Sequence, residues 1–596
     1  MENKTLRVGD RVEEDEAAGA RGTVRYIGPV VTSKDAAAVY YGIEWDMWGR
    51  GLNDGSIMLP SGERVVYFQG PPGRKKRVVQ SSDGTSSTQN GALEFKCSFV
   101  KASKFKTKRP RTLIERLQER YGHAPSAAAP ARSSIAPDVV ITGEVGTTLG
   151  SQRPIELVGV EKLKTQQTLT TIEKISLAQN QIADLGFASP GDLKALTPNI
   201  RELNLAFNLF RTWESIFRIV QELPEIETLI LTGNRLVYVK PQEDAAGGTA
   251  TPEWRFLHVK TLVLNQTLVS WEDLVELLDH HFPALVELYL VENEFIDADL
   301  ELLVKENKQK RPWMDTLEVL DLSQNHLRSW QKLSHTIGST LVNLKQLVVN
   351  DNQICTLAGT ADSLVQGPPT FQQLRSLSIN DNRIDSWTSI HALDQYPQLD
   401  TLRFTRNPLV ARMGAGEARM ILIARTDHIA AINGSGVRAK ERQDAEQMYL
   451  KRVLHELAAL GDTSDARASV LVSHPRFDRL RQLYPHIQIS FDGSSGGSVN
   501  GVPAGPAKLS SSLIQVKIIP MSMQATSFDP MVKKIPEKMK IAQLKVLVEK
   551  KFGVEASSQL LSYRADSRSM PSPLDDDNTE IGYYGLQGSE RESLYQ

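Results

Sequence analysis

Residues 200–208 read Ile200-Arg201-Glu202-Leu203-Asn204-Leu205-Ala206-Phe207-Asn208, and this stretch decides the central fold. Its frame, apolar-x-x-apolar-x-apolar-x-x-Asn, occurs upstream as Ile172, Ile175, Leu177 and Asn180. It returns downstream as Ile226, Leu229, Leu231 and Asn234, then as Val259, Leu262 and Leu264 with Thr267 in place of the asparagine. Five more copies end at Asn293, Asn325, Asn352, Asn382 and Asn407. Successive copies lie 25 to 33 residues apart, the period of a solenoid made from one small structural unit per copy.

The alternating apolar residues predict a short strand whose leucines point inward. The asparagine suits the turn after it, because its amide bonds backbone groups that the bend leaves unpaired. One repeat cannot bury its own apolar face, so stacking must supply the core. Trp213, Trp271, Trp330 and Trp387 follow the turn residues by four or five positions and are expected to pack inside the convex side. The pattern resembles the leucine-rich repeat. Residues 417–457, with Met420-Ile421-Leu422-Ile423-Ala424, Asn433-Gly434 and a helical stretch containing Met448, Tyr449 and Leu450, resemble the cap that closes such arrays.

Composition sets the outer bounds. In 596 residues, Lys plus Arg number 69 and Asp plus Glu 71, for a formal charge of −2. That balance gives no global polycation for nucleic acid. Two cysteines, Cys97 and Cys355, exclude a disulfide framework and a cysteine-rich zinc site, and they suit a reducing compartment. The polar start and the lack of any apolar run near the ~20 residues of a membrane span predict a soluble, cytoplasmic chain without membrane contact. No phosphate-binding loop, His-Glu-x-x-His or Gly-x-Ser-x-Gly motif occurs, so no catalytic residue, metal ligand or cofactor is expected. His280-His281 is expected to be a feature of a helix surface.

Two stretches change composition. Ala/Pro/Ser-rich residues define a linker at 112–160, and Gly/Ser-rich residues define another at 488–511. The expected division is therefore an N-terminal domain at 1–111 with a basic insertion near 70–95, repeats at 161–412, a cap with helices at 413–487, and a C-terminal domain at 512–596.

The N-terminal block contains Gly42-Ile43-Glu44-Trp45-Asp46, Arg50-Gly51-Leu52-Asn53-Asp54-Gly55-Ser56, Val66-Tyr67-Phe68 and Ser98-Phe99-Val100-Lys101, and it resembles a CAP-Gly domain. The family signature is Gly-Lys-Asn-Asp-Gly, and Leu52 stands where the lysine belongs. A glycine turn lets a ligand backbone approach closely. Asn53 can hydrogen-bond a terminal carboxylate, and Tyr40 and Phe99 can wall an aromatic slot. The expected groove comprises Tyr40, Gly51, Leu52, Asn53, Asp54, Gly55, Phe99 and Lys101. From Glu63 to Arg111 there are 12 Lys or Arg against 3 acids, which favours acidic ligands. Lys101 or the inserted Arg74-Lys75-Lys76-Arg77 would substitute for the missing lysine. Trp45 is expected in the core.

At the C-terminus, strand-like Leu513–Ile519 and Val532–Pro536 precede a helical face of Ile541, Leu544, Val548 and Phe552, then Leu560-Leu561-Ser562-Tyr563. This order resembles a ubiquitin-like β-grasp, here without a Gly-Gly tail. The fold class is thus multidomain: a small all-β CAP-Gly barrel, an α/β leucine-rich-repeat solenoid with a C-terminal cap, and an α+β ubiquitin-like domain.

This domain order resembles the tubulin-folding cofactor E family. The resemblance implies a cytoskeleton-associated chaperone that binds α-tubulin. With β-tubulin held by cofactor D, and with cofactors B and C, it would assemble or dissociate the αβ heterodimer. It implies further that the barrel takes the acidic α-tubulin tail, that the repeats hold the tubulin body, and that the ubiquitin-like domain contacts partners or the proteasome. Phe207, Tyr289, Glu292, Arg403 and Arg406, read as solvent-facing strand positions, are candidates for the repeat surface. The alternative is a microtubule-associated adaptor that reads tubulin tails; an enzyme or enzyme regulator is a distant third.

Overall fold

A Leu flanked by two half-exposed residues is the unit of the central fold. In the computed structural model each repeat contributes a three-residue strand, such as Glu202–Asn204 or Thr228–Ile230, whose middle leucine is buried. Residues 6–15, 20–35, 37–75, 93–121, 169–186, 189–240, 254–302, 311–358, 370–411, 413–459, 464–487 and parts of 513–595 are described. The expected linker at 488–511 and most of that at 112–160 lie outside them. The chain packs as two units, Met1–Asn293 with Arg311–Thr316, and Glu294–Lys310 with Leu317–Gln596.

In the first unit, parallel strands at 174–176, 202–204, 228–230, 261–263 and 287–289 pair leucine to leucine, Leu203↔Leu229 and Leu229↔Leu262 among them. In the second, 319–321, 346–348, 376–378 and 401–403 do the same. Such registry stacks one repeat's leucine on the next, and full burial of each contributes about 1.5–3 kcal/mol. The turn asparagines act as the sequence implies. Asn208 Nδ2 donates to the carbonyls of Leu177 and Leu205 (2.8 and 2.9 Å), and its Oδ1 accepts from the backbone N–H groups of Asn180 and Ile182 (3.1 and 3.0 Å). One buried amide thereby ties two repeats together. Thr267 keeps only part of this, donating from Oγ1 to its own Leu264 carbonyl and to Asn293 Oδ1.

The residue before the turn residue is forced into left-handed backbone, with φ 59° at Gln179, 56° at Phe207 and 57° at Gln324. At 233 that residue is glycine, and a Cβ there would fall 2.2 Å from the Phe207 ring. On the convex side the tryptophans open helices at Trp213–Glu222, Trp271–His281, Trp330–Thr340 and Trp387–His391. Ser270, Ser329 and Ser386 cap three of them by accepting a backbone N–H. Trp213, Trp271 and Trp330 are buried, as expected; Trp387 is only half-buried, because it forms a ledge under Arg425. His281 departs from its expected surface position. Its ring stacks on Phe217 at 4.1 Å, donates from Nδ1 to the Trp254 carbonyl (2.6 Å) and accepts at Nε2 from Tyr238 (3.3 Å).

Within the cap, Asn433-Gly434, both in left-handed backbone, turn the hairpin 431–432/435–436. Helix Ala415–Arg425 ends against two arginines. Arg442 Nη1 donates to the Ile423 and Thr426 carbonyls (3.1 and 2.8 Å), and Arg476 donates to those of Ala424 and Thr426. These are carbonyls that a helix end leaves without partners.

The N-terminal barrel has a four-stranded antiparallel sheet ordered Arg11–Glu13, Arg21–Gly28, Tyr40–Trp45, Cys97–Lys101. Ile43 and Trp45 lie in its core. Contrary to expectation, the chain does not become a linker at 112. Arg111–Thr112 pairs in parallel with Ile182–Asp184, and Leu113–Tyr121 is a helix whose Leu113 and Leu117 are fully buried. Arg116 fastens that helix to the first repeat through the Asn180 carbonyl (3.1 Å). The physical reason is an apolar helix face that the flanking Ala/Pro/Ser composition obscures.

At the C-terminus, Leu513–Ile519 runs antiparallel to Met531–Pro536 and parallel to Ser593–Tyr595. Ile541, Leu544, Val548 and Phe552 are buried on the helix that crosses this sheet, and Gly553 (φ 72°) ends it.

Candidate peptide-binding site

Two glycines shape the turn between the sheet and the hairpin Ser56–Met58/Arg64–Val66. A Cβ on Gly51 would fall 2.2 Å from Cys97 N, and one on Gly55 2.2 Å from the Phe68 carbonyl, where φ is 87°. Leu52 N and Asn53 N both donate to the Cys97 carbonyl (2.7 and 3.0 Å), which locks the turn onto strand Cys97–Lys101. Asn53 Oδ1 accepts from Gly55 N (3.1 Å), so only the amide nitrogen of Asn53 is left to donate to a ligand. Asp54 is a structural anchor: Oδ1 accepts from Ser56 Oγ (2.6 Å) and Oδ2 pairs with Arg64. Desolvation pushes its carboxyl upward, but the Ser56 hydrogen bond and the Arg64 charge outweigh this and hold it below its ordinary value. Leu52, 83% exposed, stands free at the tip.

Phe99 is the hub of an aromatic cluster. Tyr67, Phe68 and Tyr26 meet it edge-on at 5.1, 5.7 and 6.3 Å. Gly42 is required beneath, since a Cβ there would lie 2.5 Å from the Phe68 ring. Tyr40 is not part of this wall; its hydroxyl reaches Ser33 Oγ (3.3 Å), and its backbone partner across the sheet is Lys101. Tyr26 was not foreseen as part of the wall. A register shift between Val24 and Tyr26 sets it opposite Gly42, which strict alternation along the strand does not mark. Lys101 makes a long ion pair with Asp35 (3.8 Å). Arg74 is committed as well, stacked on Trp48 at 4.3 Å and paired with Glu94. Lys76 and Arg77 lie outside the described residues. Cys97 is buried beneath the turn, and burial, then Glu44 and Asp54, push its thiol up to about 12, which disfavours the thiolate.

The repeat candidates divide. Tyr289 and Arg403 end strands, with Arg403 exposed and Tyr289 half-buried, its hydroxyl donating to Glu287 (3.1 Å). Phe207, Glu292 and Arg406 are not strand residues but left-handed turn residues, with φ 56°, 57° and 49°. Phe207 is covered by the barrel's Arg21, whose guanidinium sits 4.8 Å above the ring. Glu292 accepts from Gln266 (2.5 Å), and Arg406 grips Asp381 with two bonds (2.6 and 2.8 Å). The barrel itself is docked on the first repeats. Asp10 pairs with Arg211 (2.8 Å), Asp46 with Arg11 (2.6 Å) and Arg235 (3.6 Å), and Glu13 accepts from Gln181 (3.4 Å).

Three family models match this chain: a CAP-Gly domain over residues 8–74, a leucine-rich repeat over 312–459 and a ubiquitin-like domain over 513–591. Tubulin-folding cofactor E of Arabidopsis thaliana is 26% identical over 590 residues, 98% of this chain and 97% of that protein. Tubulin-specific chaperone E of Homo sapiens is 26% identical over 599 residues, again 98% and 97%. Among solved structures, the C-terminal ubiquitin-like domain of mouse tubulin-specific chaperone e aligns with 15% of this chain and 90% of that one, at 19% identity and TM-score 0.13. With all three domains matched and the alignments covering 98% of this chain, it is similar to tubulin-folding cofactor E from one end to nearly the other.

Proposed function

We propose that this protein is a non-catalytic tubulin-folding chaperone of the cytoplasm that binds α-tubulin and, with partner cofactors, assembles or dissociates the αβ heterodimer. The observation that carries the reading is the collinear match, across barrel, repeats and ubiquitin-like domain, to proteins named for tubulin folding. In this reading the Phe99 cluster and the Asn53 amide take an acidic tail that ends in an aromatic residue. Tyr289 and Arg403 belong to the surface that meets the tubulin body. β-Tubulin on cofactor D, cofactors B and C, and a proteasome contact through the ubiquitin-like domain complete the set of partners. Among the described residues no helix is long and apolar enough to cross a membrane.

The test mixes the purified chain with αβ-tubulin and follows free heterodimer by size-exclusion chromatography, with and without cofactor D. A stoichiometric complex and a shrinking heterodimer pool are expected. Co-pelleting with microtubules while the pool stays intact would favour the adaptor instead.

A further inference from the structure

The cap holds a charged group whose environment the chaperone reading does not use. Arg425, at the end of helix Ala415–Arg425, is 5% exposed, yet among the described residues no carboxylate lies within ion-pair distance of it. Its guanidinium carbon lies over two rings, 4.8 Å from the centroid of Trp387 and 5.1 Å from that of Tyr449. The acceptors it has are neutral. Nη1 donates to the Ser473 carbonyl (3.0 Å) and to His391 Nε2 (2.7 Å), and Nη2 donates to His474 Nδ1 (3.2 Å). Among the described residues Nε finds no partner. Three of the five N–H donors are thus used, and Nε–H with one hydrogen of Nη2 is left over; the Nε and Nη2 donors share the edge of the plane that grips a carboxylate side-on.

The surroundings disfavour a second positive charge on either histidine. Burial first, then the Arg425 charge, lowers His391 to about 4. His474 is lowered in the same way, and its Nε2 faces Glu456 at 3.3 Å while Tyr449 donates to its Nδ1 (2.5 Å). Glu456 acts on Arg425 only as a charge beyond ion-pair contact, and a buried guanidinium without a direct ion pair is costly; such groups are normally paired or ligand-bound. Arg425 lines a cavity of about 280 Å³ together with Trp387, Ile421, Tyr449, Arg452 and Glu456. Arg452, on the exposed helix face, brings a second guanidinium, which pairs with Glu417 (3.1 Å).

We propose that this cavity is a carboxylate-binding site, with Arg425 as its anchor and Arg452 at its mouth. Two features select a carboxylate over a phosphate. Glu456 on the lining repels the charge that a phosphate concentrates on one group more than the single charge of one carboxylate, and Trp387 and Ile421 suit the short aliphatic stem that a carboxylate side chain carries. The carboxylate comes either from an acidic side chain of a bound protein or from a free small acid; both present the same group to Arg425.

Calorimetry on the full-length protein separates the sources, with glutarate, hexaglutamate and inorganic phosphate as probes. Glutarate is expected to bind and phosphate to bind more weakly. Hexaglutamate tighter than glutarate by tenfold or more identifies a protein ligand; equal affinities identify a free acid. Arg425→Met should abolish binding, with circular dichroism to check the fold. The exposed Arg452→Gln guards against misfolding and should weaken glutarate about five- to tenfold, the scale of one lost charge-assisted bond. Glu456→Gln, which keeps an acceptor for His474, should tighten it severalfold. An Asn53→Ala control keeps any peptide bound at the barrel out of the comparison. The proposal is overturned if neither carboxylate binds at millimolar concentration, if phosphate binds tighter than glutarate, or if the Arg452 and Glu456 variants match wild type.

Discussion

Arg211 Nη1 lies 2.8 Å from Asp10 Oδ1, a pairing that spans 201 residues of sequence and joins the second repeat to the barrel. It does not act alone. Asp46 is gripped by Arg11 and reached by Arg235, and Arg21 covers Phe207. Desolvation pushes Asp46 upward, but Arg11, with Arg235 and Arg21, outweighs it and holds the carboxyl below its ordinary value. The groove is therefore carried at a fixed place on the first repeats, and a barrel roaming on a long tether is the wrong picture.

Cleavage between residues 125 and 150 should consequently leave two fragments that co-elute on size-exclusion chromatography. Asp46→Ala leaves Arg11 buried without its carboxylate and should cost about 3–5 kcal/mol. Combined with Asp10→Ala, it should let the nicked fragments part. Separation of the nicked wild-type protein would show that the docking is too weak to matter.

Leu52 stands free beside a groove that already offers the Asn53 amide and the Phe99 rings. Leu52→Lys adds one charge-assisted bond to an acidic tail and should tighten a peptide ending in Glu-Glu-Tyr by about 1–3 kcal/mol. Unchanged affinity by calorimetry would mean the ligand does not pass over this turn.

Asn208→Ala removes an amide that serves four backbone groups and should destabilise the repeats by on the order of 3–5 kcal/mol. Thr267→Asn should do the reverse, restoring the missing bond to the preceding repeat for about 1 kcal/mol. Thermal unfolding of both variants tests the pair; a lowered midpoint for Thr267→Asn would reject this account of the ladder.

Burial holds His281 at about 4, below its ordinary 6.5, with the Trp254 carbonyl opposing the shift. The folded state therefore favours the neutral ring. Its contribution is full above pH 6.5 and falls as the pH drops toward 4, because the unfolded chain takes up the proton first. With His281 buried, the loss by pH 4 is on the order of 3 kcal/mol. Chemical denaturation followed at pH 7.5 and 4.5 should show a smaller decline in His281→Phe than in wild type; equal declines would place the titrating groups elsewhere.

The repeats were legible because their period writes one structural rule nine times, and Asn208 or Asn234 obeys it wherever it occurs. The β-grasp helix was legible for a similar reason, since Ile541, Leu544, Val548 and Phe552 all fall inward. Helix Leu113–Tyr121 was hidden because its docking surface lies some sixty residues further on, at Asn180 and Gln181. The groove was half legible. The glycines and Phe99 announce themselves, whereas Tyr40 and Tyr26 exchange roles through a register shift between Val24 and Tyr26 that no local pattern marks. Phe207 looked like free surface because the sequence of one repeat says nothing of the barrel laid over it.

The arginines at the end of helix Ala415–Arg425 have a consequence for synthesis on the ribosome. Arg442 reaches the Ile423 and Thr426 carbonyls early, but the Ala424 carbonyl waits for Arg476, 52 residues downstream, and Arg476 is in turn steadied by Glu446 at 3.0 Å. Until that residue has left the exit tunnel, the helix end is only partly satisfied, and the newest repeats have an incompletely sealed end. A nascent chain paused near Ala459 would already contain the whole repeat pattern and still be vulnerable to premature association, so translation speed across residues 460–476 becomes a determinant of yield.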